Sequence, residues 1–221
     1  WGFLFMCFLP STVQSSIAFT SMAKGNVAGA VCSASFSNII GMFITPVLVS
    51  YFILGQSQHG FDPTKSIIQI TLLLLVPFIL GQLLRPYVFP YMLKLPSLVK
   101  AFDQGSILMV VYGAFSSAVV AGLWHQVSGL TLFYLTLACS VLLTLVMLLA
   151  LYLPKWLGFN QAAQVTIFFC SSQKTLASGV PMAQILFIGQ PLGMIVLPIM
   201  IFHQIQLMVC GVIANHWAKR H

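Results

Sequence analysis

Acidic residues are almost absent from this chain of 221 residues, which contains two aspartates and no glutamate. Enzymes that use a carboxylate pair, and metal sites built from carboxylates, are therefore not expected. The five cysteines lie in or beside apolar runs without CxxC spacing, which argues against a zinc or disulfide framework. Glycine-rich phosphate loops and the GxSxG and HExxH motifs are also missing, so we predict neither an enzyme nor a cofactor.

Charge of either sign is scarce, whereas apolar residues are abundant. Charged residues make up 5% of the chain and hydrophobic residues 59%. A soluble domain of this length could not bury so much apolar surface. The net charge of +7 would suit a nucleic-acid partner in a soluble protein, but here the basic residues lie at the ends of apolar runs. We therefore expect a single, all-α, multi-pass domain over residues 1–221 that lies in a lipid bilayer and binds no nucleic acid.

Several apolar runs reach the roughly 20 residues that a membrane-spanning helix needs. These runs cover residues 27–54, 66–84, 102–123, 127–153 and 191–218. Arg85-Pro86 is predicted to close the second run, because a proline disfavours helix at the residue before it. In the turn before the first run, Gly25 suits the position after a helix end and Asn26 suits an N-cap.

The basic residues also predict the orientation of the chain in the membrane. One set of alternate connections carries seven of them, and the other set carries only Lys65. The set of seven comprises Lys24, Arg85, Lys94, Lys100, Lys155, Lys219 and Arg220. The positive-inside rule then places the C-terminus in the cytoplasm, in a plasma or inner membrane. Lys174 belongs to neither set, because it lies part-way along an apolar segment.

Two polar runs interrupt apolar segments in corresponding parts of the two halves, at residues 10–28 and 168–198. Their candidate site residues are Ser11, Thr12, Gln14, Ser15 and Ser16 in the first, and Ser171, Ser172, Gln173, Lys174 and Thr175 in the second. Paired interruptions of this kind indicate a secondary transporter with inverted repeats, and we expect the two breaks to face each other. The alternative is that these hydroxyls bond their own helices or pack against neighbours.

Ionisable or polar groups deep in a membrane are costly and mark functional sites. Lys174 would act as a fixed charge that neutralises helix C-terminal ends, or as a switchable one that gives up its proton; either would attract an anionic substrate. The alternative for Lys174 is a snorkelling side chain. His203 and Gln204 in the last run are further candidates for binding substrate or ion, with helix packing as the alternative.

Three motifs resemble the bile acid:sodium symporter superfamily, within the sodium/proton-antiporter-like fold. They are the break at residues 9–16 with the Lys-Gly-Asn turn at 24–26, the Ser-Gln-Lys-Thr-Leu-Ala run at 172–177, and Phe202-His203-Gln204. The second run is similar to that of a divergent branch containing the seventh member of the animal sodium/bile acid cotransporter family. The resemblance implies a ten-span transporter with two broken, crossing helices, of which this chain would be spans four to ten, with the first three absent.

The chain departs from that superfamily where it binds sodium. Phe168 stands where sodium-coupled members carry a glutamate, and Ala30 and Ala34 stand at hydroxyl positions, although Ser33 and Ser35 are adjacent as weak candidate ligands. Lys174 would also repel sodium, because two unit charges about 4 Å apart cost around 4 kcal/mol at an effective dielectric of 20. The coupling ion is therefore open between sodium, a proton and none.

The sequence thus favours a symporter-like secondary transporter of a small organic anion that works by alternating access. The alternative is a membrane regulator that keeps the transporter fold without transporting, for example one that affects ion homeostasis. The sequence predicts no oligomeric state.

Overall fold

The computed structural model describes residues 1–54, 63–120, 122, 128–187 and 190–219, and within these ranges all regular structure is helical. The predicted loop around His59 and Asp62 and the C-terminal Arg220 lie outside the described residues. The α-helices in chain order are α1 Gly2–Phe8, α2 Gln14–Met22, α3 Val27–Val49, α4 Pro63–Met92, α5 Pro96–Val120, α6 Gly129–Trp156, α7 Gln161–Ser172, α8 Leu176–Leu186 and α9 Leu192–Ala218. A π-helical turn, Ser50–Leu54, continues α3.

Three helical stretches in the described part of the chain are long and apolar enough to cross a membrane: Val27–Ile53, Gly129–Trp156 and Leu192–Ala218. Their outer faces expose large apolar side chains such as Phe36 and Leu149. A surface of this kind is stable against lipid and not against water. The protein is therefore an integral membrane protein.

The prediction that Arg85-Pro86 ends a helix is wrong, because α4 continues to Met92 through Pro77, Pro86 and Pro90. A proline removes one backbone hydrogen bond, but in an apolar environment leaving the helix would expose several more backbone groups. The chain turns only at residues 93–95, and Pro96 then occupies the first position of α5.

Helix α9 is central to the packing, since it contacts α1, α2, α5, α6 and α8. Its buried face recurs every three or four residues and includes Ile195, Ile199, Phe202 and Gln206. Helix α7 packs against α2, α3 and α6. The two helices therefore hold α1, α2 and α8, the short helices on either side of the breaks.

The turn between α2 and α3 differs in one detail from the prediction. Asn26 caps α3 as expected, because its Oδ1 accepts from the Gly29 N–H at 3.0 Å. The residue with left-handed backbone is Lys24, with φ of 56°, and not Gly25. Gly25 is needed for space, because a Cβ there would lie 2.7 Å from Cγ1 of Val165 and 2.8 Å from Cγ2 of Thr20.

Candidate functional site

The first break, residues 9–13, separates α1 from α2 and takes its hydrogen bonds from α3. Ser37 Oγ accepts from the Ser11 N–H at 3.1 Å, and Asn38 Nδ2 donates to the Ser11 carbonyl at 2.8 Å. Further back, Thr45 Oγ1 donates to the carbonyl of Phe8 at 2.7 Å. Side chains of one long helix thus satisfy backbone groups that a continuous helix would have paired internally.

The second break, residues 173–175, separates α7 from α8 and is held by α9. Gln206 Oε1 accepts from the Lys174 N–H at 2.8 Å, and Gln206 Nε2 donates to the Lys174 carbonyl at 2.9 Å. Gln206 is fully buried. Thr175 then caps α8, since its Oγ1 accepts from the Ser178 N–H at 3.4 Å. One amide side chain therefore satisfies both backbone groups of Lys174.

The two breaks contact each other directly. The Thr175 N–H donates to the Pro10 carbonyl at 3.1 Å, and Ser11 Oγ donates to the Cys170 carbonyl at 2.6 Å. Gln173, which is 1% exposed, accepts at Oε1 from three hydroxyls, one in the first break and two in the first turn of α2. These come from Thr12 at 2.6 Å, Ser16 at 3.4 Å and Ser15. The expected juxtaposition of the two polar runs is present.

Lys174 directs its ammonium group at the C-terminal end of α1. Its Nζ donates to the Leu9 carbonyl at 2.8 Å and to the Cys7 carbonyl at 3.0 Å. The side chain is half-buried and does not snorkel toward a membrane surface. A cation placed at a helix C-terminus opposes the partial negative charge of the unpaired carbonyls.

A cavity of about 590 Å³ lies beside the breaks, on the side where α2 and α8 begin. Its walls include the first turns of both helices, with Gln14 and Ser15 from α2 and Ala177 and Ser178 from α8. Asn38 and His203 complete the polar part of the wall. The described wall residues include no lysine, arginine or acidic side chain, so the positive ends of the two helices that begin there contribute directly to the field in the cavity.

Comparison with known proteins identifies the family. The model of the SBF-like CPA transporter family matches residues 1–219. The chain belongs to the SBF-like CPA transporter family. This membership confirms the resemblance found in the sequence. The protein is therefore a membrane protein of a transporter family.

Relatives in this family cover almost the whole chain. An uncharacterised protein of Pseudomonas aeruginosa is 52% identical over 219 residues, and YfeH of Escherichia coli, whose name marks it as a proposed symporter, is 49% identical over 220. Sodium/bile acid cotransporter 7 of Rattus norvegicus is 28% identical over 207 residues. The matches cover 99%, 99% and 93% of this chain but 66%, 65% and 60% of those relatives. The chain thus spans somewhat under two thirds of their length.

Phe168, which the resemblance aligns with the superfamily's sodium-binding glutamate, lies in apolar surroundings. Phe168 is buried, with its ring centroid 5.0 Å from that of Trp217 and 5.1 Å from that of Phe169. Ala30 and Ala34 are fully buried on α3 and offer no hydroxyl, while Ser33 is exposed and Ser35 half-buried. The aromatic cluster around Phe168 offers no oxygen ligand to a cation.

Two predicted candidates lie away from the breaks. Gln204 is exposed on α9, and Ser171 is exposed with its Oγ donating to the Ile167 carbonyl of its own helix at 2.7 Å. The packing alternative therefore describes Ser171. Ser172 is buried beside Cys210, its Oγ 3.8 Å from the Cys210 Sγ.

The remaining candidates lie at the breaks or the cavity. Those in direct contact with the opposite break are Thr12, Ser15, Ser16, Gln173, Lys174 and Thr175. Gln14 and His203 line the cavity. His203 Nδ1 lies 2.9 Å from Gln206 Nε2 and 3.2 Å from the Lys174 carbonyl oxygen.

Gln206 and Ser37 were missing from the predicted site. A signal for Gln206 exists in the sequence, because it follows Phe202 by four residues and precedes Cys210 by four, and so shares their helical face. Gln204 lies roughly 200° around the helix from Gln206. A helical-face analysis would therefore have chosen Gln206.

Proposed function

We propose that this protein is a secondary transporter that moves a small organic anion by alternating access. The observation that carries the proposal is the cavity at the two breaks, bounded by the N-terminal turns of α2 and α8. Its volume of about 590 Å³ suits a small organic molecule. Family membership supplies the transport class, and the cavity supplies the sign of the substrate charge.

The preference for an anion follows from the orientation of the short helices. Each helix N-terminus carries about half a positive elementary charge, and its first N–H groups are unpaired within the helix. Ser15, Ser178 and Asn38 add polar side chains to the same wall, but their hydrogens are donated to Gln173, to Thr175 and to backbone carbonyls. The helix N-termini are therefore the feature that favours an anion. Val13, Leu176 and Leu207 form an apolar part that suits the carbon skeleton of an organic anion.

The architecture supports alternating access. Each half contains two short helices flanking a break, followed by a long helix: α1, α2 and α3 in one half, and α7, α8 and α9 in the other. We infer that these are the inverted repeats of a ten-span fold, with spans four to ten in this chain, and that the substrate binds between them. The positive-inside count supports a cytoplasmic C-terminus, in a plasma or inner membrane.

Filling the cavity tests the proposal. Ala177 lines the cavity with an exposed side chain, so Ala177→Phe should occupy substrate volume. Ala28, exposed in the first turn of α3, provides Ala28→Phe as the matched control. Uptake of labelled cholate and of a panel of smaller carboxylates and sulfonates is measured in proteoliposomes containing the purified protein.

We expect Ala177→Phe to reduce uptake of the transported anion at least tenfold and Ala28→Phe to leave it within about twofold of the unsubstituted protein. The tenfold loss corresponds to about 1.4 kcal/mol of binding or barrier free energy. Equal uptake by the two variants would contradict the location of the site. Uptake of cations in preference to anions would contradict the charge assignment.

A second candidate function rests on the aromatic cluster around Phe168. Apolar replacement of the superfamily's ion-binding glutamate is what a non-transporting descendant would show. Such a protein would keep the fold and act as a membrane regulator, for example in ion homeostasis. It would show no uptake of any anion in the panel, while a bound anion would still raise its thermal unfolding temperature.

A further inference from the structure

We propose that the ammonium group of Lys174 is a resident cation that permanently fills a carbonyl-lined cation site at the end of α1, so that transport needs no sodium ion there. This inference rests on the proposed function and deepens it, because it assigns the origin of the central positive charge. It also predicts that shortening Lys174 opens the site to a diffusible cation.

The acceptors at the end of α1 form the site. In a continued helix, the Ser11 N–H would bond the Cys7 carbonyl, but it donates to Ser37 Oγ instead. The intervening Phe8 carbonyl is satisfied by Thr45 and the Pro10 carbonyl by Thr175. The Cys7 and Leu9 carbonyls are the pair that Lys174 Nζ takes, at 3.0 and 2.8 Å.

The described hydrogen-bond partners of the ammonium group are carbonyl oxygens. Both aspartates of the chain, Asp62 and Asp103, lie outside the side chains that the structure describes. The hydrogen bonds of Nζ go instead to carbonyl oxygens, which carry the partial negative charge of a helix C-terminus. Carbonyl oxygens are also the ligands with which unwound transporter helices coordinate sodium. Lys174 thus satisfies groups that would otherwise require an ion.

Gln206 acts as a positioning residue for this charge. It bonds both backbone groups of Lys174, which fixes the direction in which the side chain leaves the second break. The Thr175 N–H bonded to Pro10 holds the first break at the same place. The backbone of the second break therefore directs the ammonium group toward the Cys7 and Leu9 carbonyls at the end of α1.

Sodium is excluded from the same position by charge and by chemistry. A sodium ion at those carbonyls would lie about 4 Å from the ammonium group, a strongly repulsive separation in a membrane protein. The residues that the resemblance aligns with sodium ligands, Phe168, Ala30 and Ala34, supply no side-chain oxygen. Substrate uptake should consequently be the same in sodium and in an impermeant organic cation.

The test compares two shortened variants with the unsubstituted protein. Lys174→Ala removes the charge and leaves space, whereas Lys174→Met removes the charge and keeps most of the side-chain volume. Lys155→Ala, at an exposed lysine of α6, is the control for loss of a positive charge. Thermal unfolding of each purified protein is measured with increasing sodium, potassium or methylammonium against N-methyl-D-glucamine, and uptake is measured in the same salts.

We expect unsubstituted protein and Lys155→Ala to show no saturable cation effect and uptake that varies less than twofold between salts. Lys174→Ala should lose at least tenfold of the uptake and recover it, with a saturable rise in unfolding temperature, in methylammonium or sodium. Lys174→Met should lose uptake without recovery.

Sodium dependence of the unsubstituted protein would overturn the proposal, as would full uptake by Lys174→Met in N-methyl-D-glucamine. If Lys174→Ala does not fold, the sodium response of the unsubstituted protein still decides. If no anion is transported, the unfolding temperatures test the cation site separately from the transport function.

Discussion

The C-terminal ends of the two interrupted helices, α1 and α7, are capped from the opposite break by groups of different charge. At α1 the cap is the Lys174 ammonium group, which donates to two carbonyls. At α7 it is the Ser11 hydroxyl, which donates to the Cys170 carbonyl at 2.6 Å. In both places backbone carbonyls inside the membrane need a hydrogen-bond donor. The donor is charged at α1 and neutral at α7. The comparison shows that the ends of the two interrupted helices are paired with groups of different charge.

Replacing Gln206 should break the charged cap and leave the hydroxyl cap in place. Gln206→Leu removes the partners of two buried backbone groups of Lys174, so the free energy of unfolding should fall by roughly 2–4 kcal/mol. The exposed neighbour Gln204 provides the control Gln204→Leu, which should change stability by about 0.5 kcal/mol or less. Thermal unfolding in detergent measures both. Similar unfolding temperatures for the two variants would show that the hydrogen bonds between Gln206 and Lys174 do not contribute to stability.

Crowding the first break should disturb both caps together. In Gly41→Ala the new Cβ would lie 2.7 Å from Cβ and 2.8 Å from Cγ of the rigid Pro10 ring. Overpacking of this kind costs about 1–3 kcal/mol. In Gly179→Ala the nearest atoms, 2.7 and 3.0 Å away, are the movable ends of Leu9 and Ile199.

We expect a smaller loss for Gly179→Ala, below about 1 kcal/mol, because side-chain ends move and alanine favours helix. Urea or thermal unfolding of the two variants measures the difference. A larger loss for Gly179→Ala than for Gly41→Ala would mean that the second break, and not the first, is the rigid one.

Removing the hydroxyl cap should have the smallest effect. Ser11→Ala deprives the Cys170 carbonyl of a neutral donor, which costs about 1 kcal/mol. Ser171→Ala is the matched control, because the described hydrogen bonds of the Ser171 hydroxyl stay within its own helix, to the carbonyls of Ile167 and Phe168. We expect Ser171→Ala to be nearly neutral and both serine variants to remain insensitive to sodium in thermal unfolding. Strong sodium dependence after Ser11→Ala would place the cation site at α7 instead of α1.

The sequence predicted the composition of the breaks well and their geometry only in part. The lengths of the apolar runs predicted α3, α6 and α9. A single charged residue within an apolar segment indicated Lys174 as a site residue. What the sequence could not show is where the ammonium group points, because that depends on Gln206, which is 32 residues away in the chain. The sequence pointed to Lys174 as a source of positive charge but did not indicate that two helix N-termini also line the cavity.

The errors in the sequence analysis have local causes. Ser171 and Ser172 are equally polar, but adjacent residues on a helix point about 100° apart, and only Ser172 is buried. The resemblance favoured Gln204 beside His203, although the buried face of α9 passes through Gln206. At Arg85-Pro86, the general rule that proline stops a helix gave way to the need to keep backbone groups paired in lipid.

The double hydrogen bond between Gln206 and Lys174 constrains how the molecule can move. A rotation of α9 by one residue, about 100°, would take the Gln206 amide out of reach and bring an apolar neighbour to the backbone of the second break. Such a step would leave both backbone groups of Lys174 without the side chain that pairs them. We therefore expect helix α9 and the second break to move together as a rigid unit in any conformational change. Relative motion should then occur at other helix contacts.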